Sequence, residues 1–177
     1  MELFMSKRKT PLEAFRSEYY RTNKSGVVFL AILLLVIAIF VRWVSGSPLQ
    51  TLHYIGARQL VPSIWLMVLL FSVFYIVSGA ALGLSLGTRF CPHAEKKYQG
   101  AMWLCISLAL GYAWYPIFFS AKLFFISLIV STACFLCTVF ATICFSYVSR
   151  LSFFLSLVAL LWLLYLTLLN YRIFFSI

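Results

Sequence analysis

Five long runs of apolar residues dominate the sequence, and each run is long enough to cross a lipid bilayer. The runs cover residues 26–44, 60–86, 100–120, 123–148 and 151–171. A helix needs about 20 apolar residues to span the hydrocarbon core of a membrane. Only helices and closed barrels satisfy their backbone hydrogen bonds in lipid, and these runs lack the alternation of apolar and polar residues that barrel strands show. The sequence therefore predicts an all-α membrane protein, a bundle of five transmembrane helices.

The overall composition favours the same class of protein. Apolar residues make up 64% of the 177 residues, whereas soluble domains contain roughly 45–50%. A soluble fold of this length could not hide so much apolar surface, because small domains bury only part of their chain. Lipid is therefore the predicted solvent for most side chains, and the bilayer is the first predicted partner.

The basic residues lie at the ends of the runs and predict the orientation of the helices. Residues 1–25 form a basic arm that we expect to be cytosolic. With the N-terminus inside, four of the 14 Lys and Arg residues lie outside, namely Arg42, Arg58, Lys122 and Arg172. The other ten lie inside, and the arm supplies six of them. The positive-inside rule then predicts a cytoplasmic N-terminus and a C-terminus on the outside.

The polar residues exclude several other classes of function. The basic residues flank the apolar runs rather than lining a groove, so we expect no nucleic-acid partner. No acid lies within a run, since Glu95 is in a loop; cation-coupled transport and carboxylate catalysis normally need an ionisable group at membrane depth. His53 and His93 stand alone in loops, and the Cys134-x-x-Cys137 pair lacks the second pair of ligands that a zinc site requires.

Aromatic residues are unusually frequent, at 19% of the chain. Some lie at the ends of the runs, where tryptophan and tyrosine prefer the headgroup level. Others lie further in: Trp65, Tyr75, Trp103, Tyr112, Trp114, Tyr115, Trp162 and Tyr165. A bundle lined by such rings could enclose a flat, mostly apolar ligand. Ordinary packing of aromatic rings would give the same composition.

Three motifs occur in order in the second, third and fifth runs. The third run ends in Gly-Tyr-Ala-Trp-Tyr-Pro-Ile-Phe-Phe, over residues 111–119. The other two motifs are Pro62, Trp65, Tyr75 and Gly79 in the second run, and Trp162, Asn170 and Tyr171 in the fifth. In residue type and spacing the three motifs resemble the TspO/translocator protein family, also called tryptophan-rich sensory proteins or peripheral benzodiazepine receptors. The resemblance covers residues 48–173.

The sequence also departs from the family's pattern. Gly111 replaces the asparagine that precedes the aromatic residue in the third helix, and Phe71 replaces a tryptophan in the middle of the second. The acid usual in the fourth helix falls at Val130. The family's cholesterol-recognition pattern is not met, because Tyr171 and Arg172 are adjacent and lack a spacer.

The resemblance implies a TspO-like five-helix bundle, often dimeric, that binds porphyrins, haem-like tetrapyrroles or sterols in an aromatic pocket. It predicts a membrane receptor or regulator that requires no cofactor and takes porphyrin or haem as a ligand. Transport, sensing and scavenging are all compatible with it. By position, the ligand-binding residues would be Trp65, Phe71, Tyr75, Tyr112, Trp114, Trp162 and Asn170.

Two alternative functions stay open. Some bacterial members of the family degrade protoporphyrin in light, and the resemblance assigns this chemistry to tryptophans in the second and fifth helices. Those positions hold Phe71 and Trp162, and phenylalanine is a poor substitute for an indole that must carry a radical, so an enzyme is disfavoured. The other alternative is a small structural membrane subunit without a ligand.

A pattern of small residues bears on the oligomeric state. Gly79-x-x-x-Gly83 is a motif that lets two helices approach closely. The motif is equally compatible with helix packing inside one bundle and with a dimer interface between two copies. A homodimer therefore remains a prediction from the resemblance.

Overall fold

The computed structural model describes residues 24–45, 64–88 and 93–176. These residues form five helices: α1 (Lys24–Val44), α2 (Ile64–Gly87), α3 (Ala94–Phe119), α4 (Phe124–Ser146) and α5 (Arg150–Ser176). Each is long and apolar enough to cross a membrane. The predicted bundle of five transmembrane helices is confirmed. Most of the predicted N-terminal arm, residues 1–23, lies outside the described residues, as does the predicted start of the second helix.

Two helices extend beyond the predicted apolar runs. α3 begins at Ala94 rather than at Gly100, and α5 continues to Ser176 rather than ending at Tyr171. The additional residues of α3 are polar but include good helix formers, among them Glu95 and Lys96. Hydropathy therefore marks where a helix enters the apolar layer and not where its backbone hydrogen bonding begins.

The outer surface of the bundle is apolar, as a lipid environment requires. Large hydrophobic side chains such as those of Phe29, Phe40, Phe125, Leu161 and Phe175 are more than half exposed. In water this surface would be very unfavourable, since burying apolar area is the main source of stability in soluble proteins. The protein is therefore a multi-pass integral membrane protein, and the bilayer is its partner.

The helices are arranged in a ring in the order α1, α2, α5, α4, α3, and α3 closes the ring against α1 and α2. Successive helices run in opposite directions, because short connections join α3 to α4 and α4 to α5. Lys122, at φ 54°, lies in the first of these connections. We call the distal end of the bundle the end that holds Val44, Ile64, Phe119, Phe124 and Ser176. The opposite end is the proximal end.

Two glycines of α2 allow α1 to pack at backbone distance. A Cβ atom added at Gly79 would lie 2.6 Å from the Cα atom of Ala31, and one added at Gly83 would lie 2.7 Å from the Cα atom of Val27. Real Cβ atoms do not approach a backbone so closely. The Gly79-x-x-x-Gly83 motif is therefore used inside the bundle, between α2 and α1.

A polar network joins α3 to α4 near the middle of the bundle. Ser107 Oγ lies 2.6 Å from Thr138 Oγ1 and 3.1 Å from the carbonyl oxygen of Cys134, to which it donates. The Cys134 thiol in turn donates to the carbonyl oxygen of Ser107, at 3.1 Å. Polar groups in lipid must be satisfied within the protein. Here the polar groups of Ser107, Cys134 and Thr138 form hydrogen bonds with one another. The four cysteines among the described residues, including Cys137, are free thiols.

Candidate functional site: an aromatic cluster beside a small pocket

Aromatic rings from α2, α3 and α5 meet inside the bundle. Phe71 of α2 stacks on Trp114 of α3 with ring centroids 5.6 Å apart, and it meets Trp162 of α5 edge-on at 5.2 Å. We call the aromatic cluster the set Phe71, Trp114, Tyr115, Phe118, Phe119 and Trp162. Offset and edge-on geometries of this kind are the favourable arrangements for aromatic pairs. The cluster therefore joins α2, α3 and α5 through contacts between aromatic rings.

The spacing of residues along α3 explains why its part of the cluster forms. Trp114 and Phe118 are four residues apart, so they lie on the same face of the helix. Their rings stack with centroids 5.0 Å apart. Tyr115 and Phe119 repeat the same spacing, with centroids 4.8 Å apart. The aromatic motif at the end of the third run thus supplies a continuous aromatic surface to α2 and α5.

Two indole N–H groups of the cluster are buried and lack a hydrogen-bond acceptor. Trp114 is 1% exposed and Trp162 is 9% exposed, and neither Nε1 atom has a hydrogen-bond partner among the described residues. A buried donor without an acceptor costs about 1–3 kcal/mol. The two indole N–H groups are therefore the hydrogen-bond donors with which the cluster could bind a ligand. An unprotonated imine-type ring nitrogen, a carbonyl oxygen or a carboxylate would satisfy either of them.

A stacked pair of tyrosines lies next to the cluster and contacts α1. The rings of Tyr75 and Tyr112 are parallel to within 2°, with centroids 4.8 Å apart. The Tyr112 hydroxyl donates to the backbone carbonyl of Leu34 at 2.8 Å. The pair therefore ties α1, α2 and α3 together, and the hydroxyl of Tyr112 already has an acceptor within the protein.

A pocket of about 50 Å³ opens between α1, α2 and α3 beside the aromatic cluster. Its walls include Ala38 and Arg42 of α1, Phe71 and Tyr75 of α2, and Tyr115 of α3. Pockets for drug-sized ligands usually measure about 300–1,000 Å³. The pocket is therefore large enough for one arm of a ligand and too small for a macrocycle. Phe71 lines the pocket and its ring contacts both tryptophans, and Tyr115 likewise lines the pocket and contacts Trp114.

Asn170 lies at the interface of α4 and α5. Its Oδ1 atom accepts a hydrogen bond from Ser127 Oγ at 2.9 Å, and its Nδ2 atom donates to the carbonyl oxygen of Leu166 at 2.8 Å. A buried asparagine without a partner would be costly in lipid. The side chain therefore has partners within the helices and bridges α4 and α5.

The seven residues predicted for the ligand site thus fall into separate groups. The structure brings Phe71, Trp114 and Trp162 together in the cluster and places the pair of Tyr75 and Tyr112 beside them. The side chain of Asn170 bonds instead to Ser127 and Leu166, and the side chain of Trp65 lies outside the described residues.

Arg42 and the rings of Tyr115, Phe118 and Phe119 are not among the residues that the sequence predicts for the ligand site. The three rings stand in the motif of the third run, and their spacing of three or four residues from one another or from Trp114 was the available signal. Arg42 had no comparable signal, because a basic residue at the end of a run looks like a headgroup anchor.

We expect an Asn170→Ala substitution to lower stability without changing the affinity for porphyrin. The substitution removes the bond to Ser127, and buried hydrogen bonds between membrane helices contribute about 0.6 kcal/mol on average and up to about 1.7 kcal/mol. Ser127→Ala removes the same bond from the other side and should have a similar effect on unfolding in detergent. A tenfold weaker porphyrin affinity in Asn170→Ala, with Ser127→Ala unchanged, would instead place Asn170 in the binding site.

Among the described residues, no group of three or more His, Cys, Asp or Glu side chains could hold a metal ion. The site consists of aromatic rings, two free indole donors and one guanidinium. Such groups stack on flat molecules and pair with acceptors. The arrangement is therefore suited to binding an aromatic or otherwise apolar ligand.

Five membrane-spanning helices around an aromatic interior define an integral membrane protein with a largely closed core. The family model described as TspO/MBR family matches residues 29–175 of the chain. The protein therefore belongs to the TspO/MBR family, as the three motifs predicted. No curated protein and no solved structure gives a match to the chain.

Proposed function

We propose that the protein is a membrane receptor or regulator that binds a porphyrin or other haem-like tetrapyrrole, or a sterol-like apolar ligand, within its helix bundle. The observation that carries this proposal is the pair of buried indole donors, Trp114 Nε1 and Trp162 Nε1, for which the described part of the chain supplies no acceptor. Both rings contact Phe71. A ligand with acceptor atoms would relieve the cost of both unsatisfied groups at once.

Flat ligands suit this site because of the geometry that Phe71 already adopts. Its ring stacks on Trp114 and meets Trp162 edge-on. A planar molecule that takes the place of the Phe71 ring would inherit both contacts and would offer a larger face for stacking. The small volume of the pocket, about 50 Å³, implies that the Phe71 ring moves aside when a macrocycle binds.

Titration of the purified protein with protoporphyrin tests the proposal. Binding is expected to shift the visible absorption of the porphyrin and to quench tryptophan fluorescence, both saturably. Trp114→Phe and Trp162→Phe should each weaken binding, because each removes one of the free indole donors.

Trp103→Phe is the matched control for this titration. Trp103 is half-buried on α3 and packs on Phe140 of α4, with centroids 5.4 Å apart, outside the aromatic cluster. Its substitution should leave the titration unchanged. Absence of a saturable response in the unaltered protein would contradict the receptor function and would favour a structural subunit.

The enzyme alternative predicts a different outcome in light. Illuminating the porphyrin complex should then cause the porphyrin absorbance to decay faster than in free detergent, and Trp162→Phe should abolish the difference. Phe71 occupies the position at which the family's second tryptophan would stand, so we expect no acceleration in the unaltered protein. Phe71→Trp restores an indole at this position, next to Trp162, and is the variant in which light-dependent decay would be expected first.

We further propose that the N-terminus is cytoplasmic, from the distribution of basic residues. The distal end, with the pocket, would then face the outside. In a variant without native cysteines, a maleimide that cannot cross membranes should label Ala121→Cys, at the distal end, and not Lys96→Cys, at the proximal end. The reverse pattern in intact cells would contradict this orientation.

A further inference from the structure

Among the residues that the structure describes, Arg42 is the one cation in the wall of a pocket whose other lining residues, apart from Ser72, are apolar or aromatic. It lies in the last turn of α1 and is half-buried. It shares the pocket with Phe71 of α2 and Tyr115 of α3. Arg42 is also close enough to the Tyr115 hydroxyl to act on it electrostatically. Arg42 therefore lines the α1 side of a pocket that also includes two residues of the aromatic cluster.

The described part of the chain offers no carboxylate to this guanidinium. Its one acid is Glu95, in the first turn of α3 at the proximal end of the bundle. Arg42 is at the distal end. At a rise of about 1.5 Å per residue, the length of α3 separates the two ends by roughly 35 Å. A half-buried guanidinium in a setting of low dielectric attracts an anion strongly.

The pocket and the cluster share two residues, Phe71 and Tyr115. Phe71 lines the pocket together with Arg42, and its ring contacts Trp114 and Trp162. A ligand that displaces the Phe71 ring would therefore extend from the tryptophans to Arg42. The pocket, about 50 Å³ in volume, suits a short carboxylate-bearing arm of such a ligand.

We propose that Arg42 binds a carboxylate of the ligand and that the site thereby selects an anionic aromatic ligand over a neutral one. This inference rests on the proposed function and narrows it, since porphyrins carry carboxylates and sterols do not. Arginine suits the role because its planar guanidinium forms two parallel hydrogen bonds to a carboxylate. A site built around such a pair rejects a ligand that lacks the partner, because the buried charge is then left unpaired.

The test compares protoporphyrin, a dicarboxylic acid, with its dimethyl ester, which has the same ring system and no charge. Affinities are measured for the full chain in nanodiscs of phosphatidylcholine. Arg42→Gln is expected to weaken binding of the diacid about tenfold, the size of effect that one charge-assisted pair contributes, and to leave the ester unchanged. Arg42→Lys keeps the charge but loses the paired geometry. Its affinity for the diacid should lie between those of the unaltered protein and of Arg42→Gln.

Arg172→Gln is the matched control. It removes the same charge at the same end of the bundle, from an exposed position on α5. Its affinity for the diacid should equal that of the unaltered protein. An equal loss in Arg42→Gln and Arg172→Gln would show a general surface-charge effect and would overturn the inference.

The remaining outcomes separate this inference from the proposed function. If the diacid and the ester bind equally and Arg42→Gln changes neither, selection by Arg42 is overturned while porphyrin binding stands. Equal losses of both ligands in Arg42→Gln would mean that Arg42 supports the pocket only, which also overturns selection. If neither ligand binds, the proposed function fails and the inference fails with it.

A lipid headgroup is the competing anion for Arg42. The ratio of diacid affinities between the unaltered protein and Arg42→Gln should be the same in phosphatidylcholine and in phosphatidylglycerol nanodiscs. A ratio that falls to one in phosphatidylglycerol would assign Arg42 to lipid headgroups and would overturn the inference.

Discussion

Phe71→Ala is expected to speed porphyrin binding at least about tenfold while lowering the stability of the bundle by about 3–5 kcal/mol, the usual cost of removing a buried phenylalanine ring. The two effects have opposite signs because the ring has two functions. It fills space between Trp114 and Trp162, and it closes the pocket between α1, α2 and α3. Without the ring, the pocket and the tryptophans become one continuous space.

Phe74→Ala separates the two effects. Phe74 lies on the same helix, is 3% exposed compared with 8% for Phe71, and contacts Tyr75 edge-on at 5.0 Å. Phe74 does not line the pocket described here. We expect a similar loss of stability and no faster binding. Stopped-flow quenching of tryptophan fluorescence measures the rate, and unfolding in detergent measures the stability. Slower binding in a folded Phe71→Ala protein would contradict Phe71 as the wall of the site.

Gly79→Ala is expected to lower stability by about 1–3 kcal/mol, the usual cost of overpacking a close contact, and to weaken porphyrin binding as well. The added methyl group would lie 2.6 Å from the Cα atom of Ala31. Rotation of a side chain cannot relieve a clash with backbone, so α1 has to move away from α2. Arg42 and Ala38 of α1 line the pocket, and the movement would disturb them.

Gly111→Ala is the matched control for this substitution. A Cβ atom at Gly111 would lie 3.6 Å from the nearest atom, the hydroxyl oxygen of Tyr75, which is ordinary contact. Gly111 is inside α3, and replacing a helical glycine by alanine favours the helix by about 1 kcal/mol. The midpoint temperature of thermal unfolding should therefore fall for Gly79→Ala and stay unchanged or rise for Gly111→Ala. Equal behaviour of the two variants would contradict the close packing of α1 on α2.

The five helices could be predicted from the sequence because lipid imposes a simple requirement on length and hydropathy. Their ends could be predicted less well. α3 starts in the polar stretch from Ala94 to Gln99, where helix propensity rather than apolar character decides. The sequence does not say whether Gly79 and Gly83 form a contact inside the bundle or a dimer seam. Only the position of α1 distinguishes these two roles.

The site was predicted as far as motif spacing along single helices could show it. The motifs bring Phe71, Trp114 and Trp162 onto helices that meet, and the structure places the three rings in contact. The motif of the fifth run assigns Asn170 and Trp162 to the same ligand site because both residues lie on α5. The bond of Asn170 to Ser127 comes from α4, however, and no spacing in one sequence gives a contact between helices.

Arg42 shows the same limit of sequence reasoning. Its sequence context, at the end of an apolar run and next to Trp43, is that of an interfacial anchor. It lines a pocket only because α1 packs on α2 through Gly79 and Gly83 and leaves its last turn beside Phe71. The position of this charge therefore depends on packing between helices.

The most direct test of ligand binding at the aromatic cluster is the environment of the indole N–H groups with and without porphyrin. Nitrogen–proton correlation spectra of the ¹⁵N-indole-labelled protein, assigned with single Trp→Phe variants, should show the Trp114 and Trp162 signals shifting when protoporphyrin binds, while the Trp103 signal stays in place. A protein whose absorbance shows bound porphyrin but whose Trp114 and Trp162 signals do not move would contradict a ligand site between these two rings.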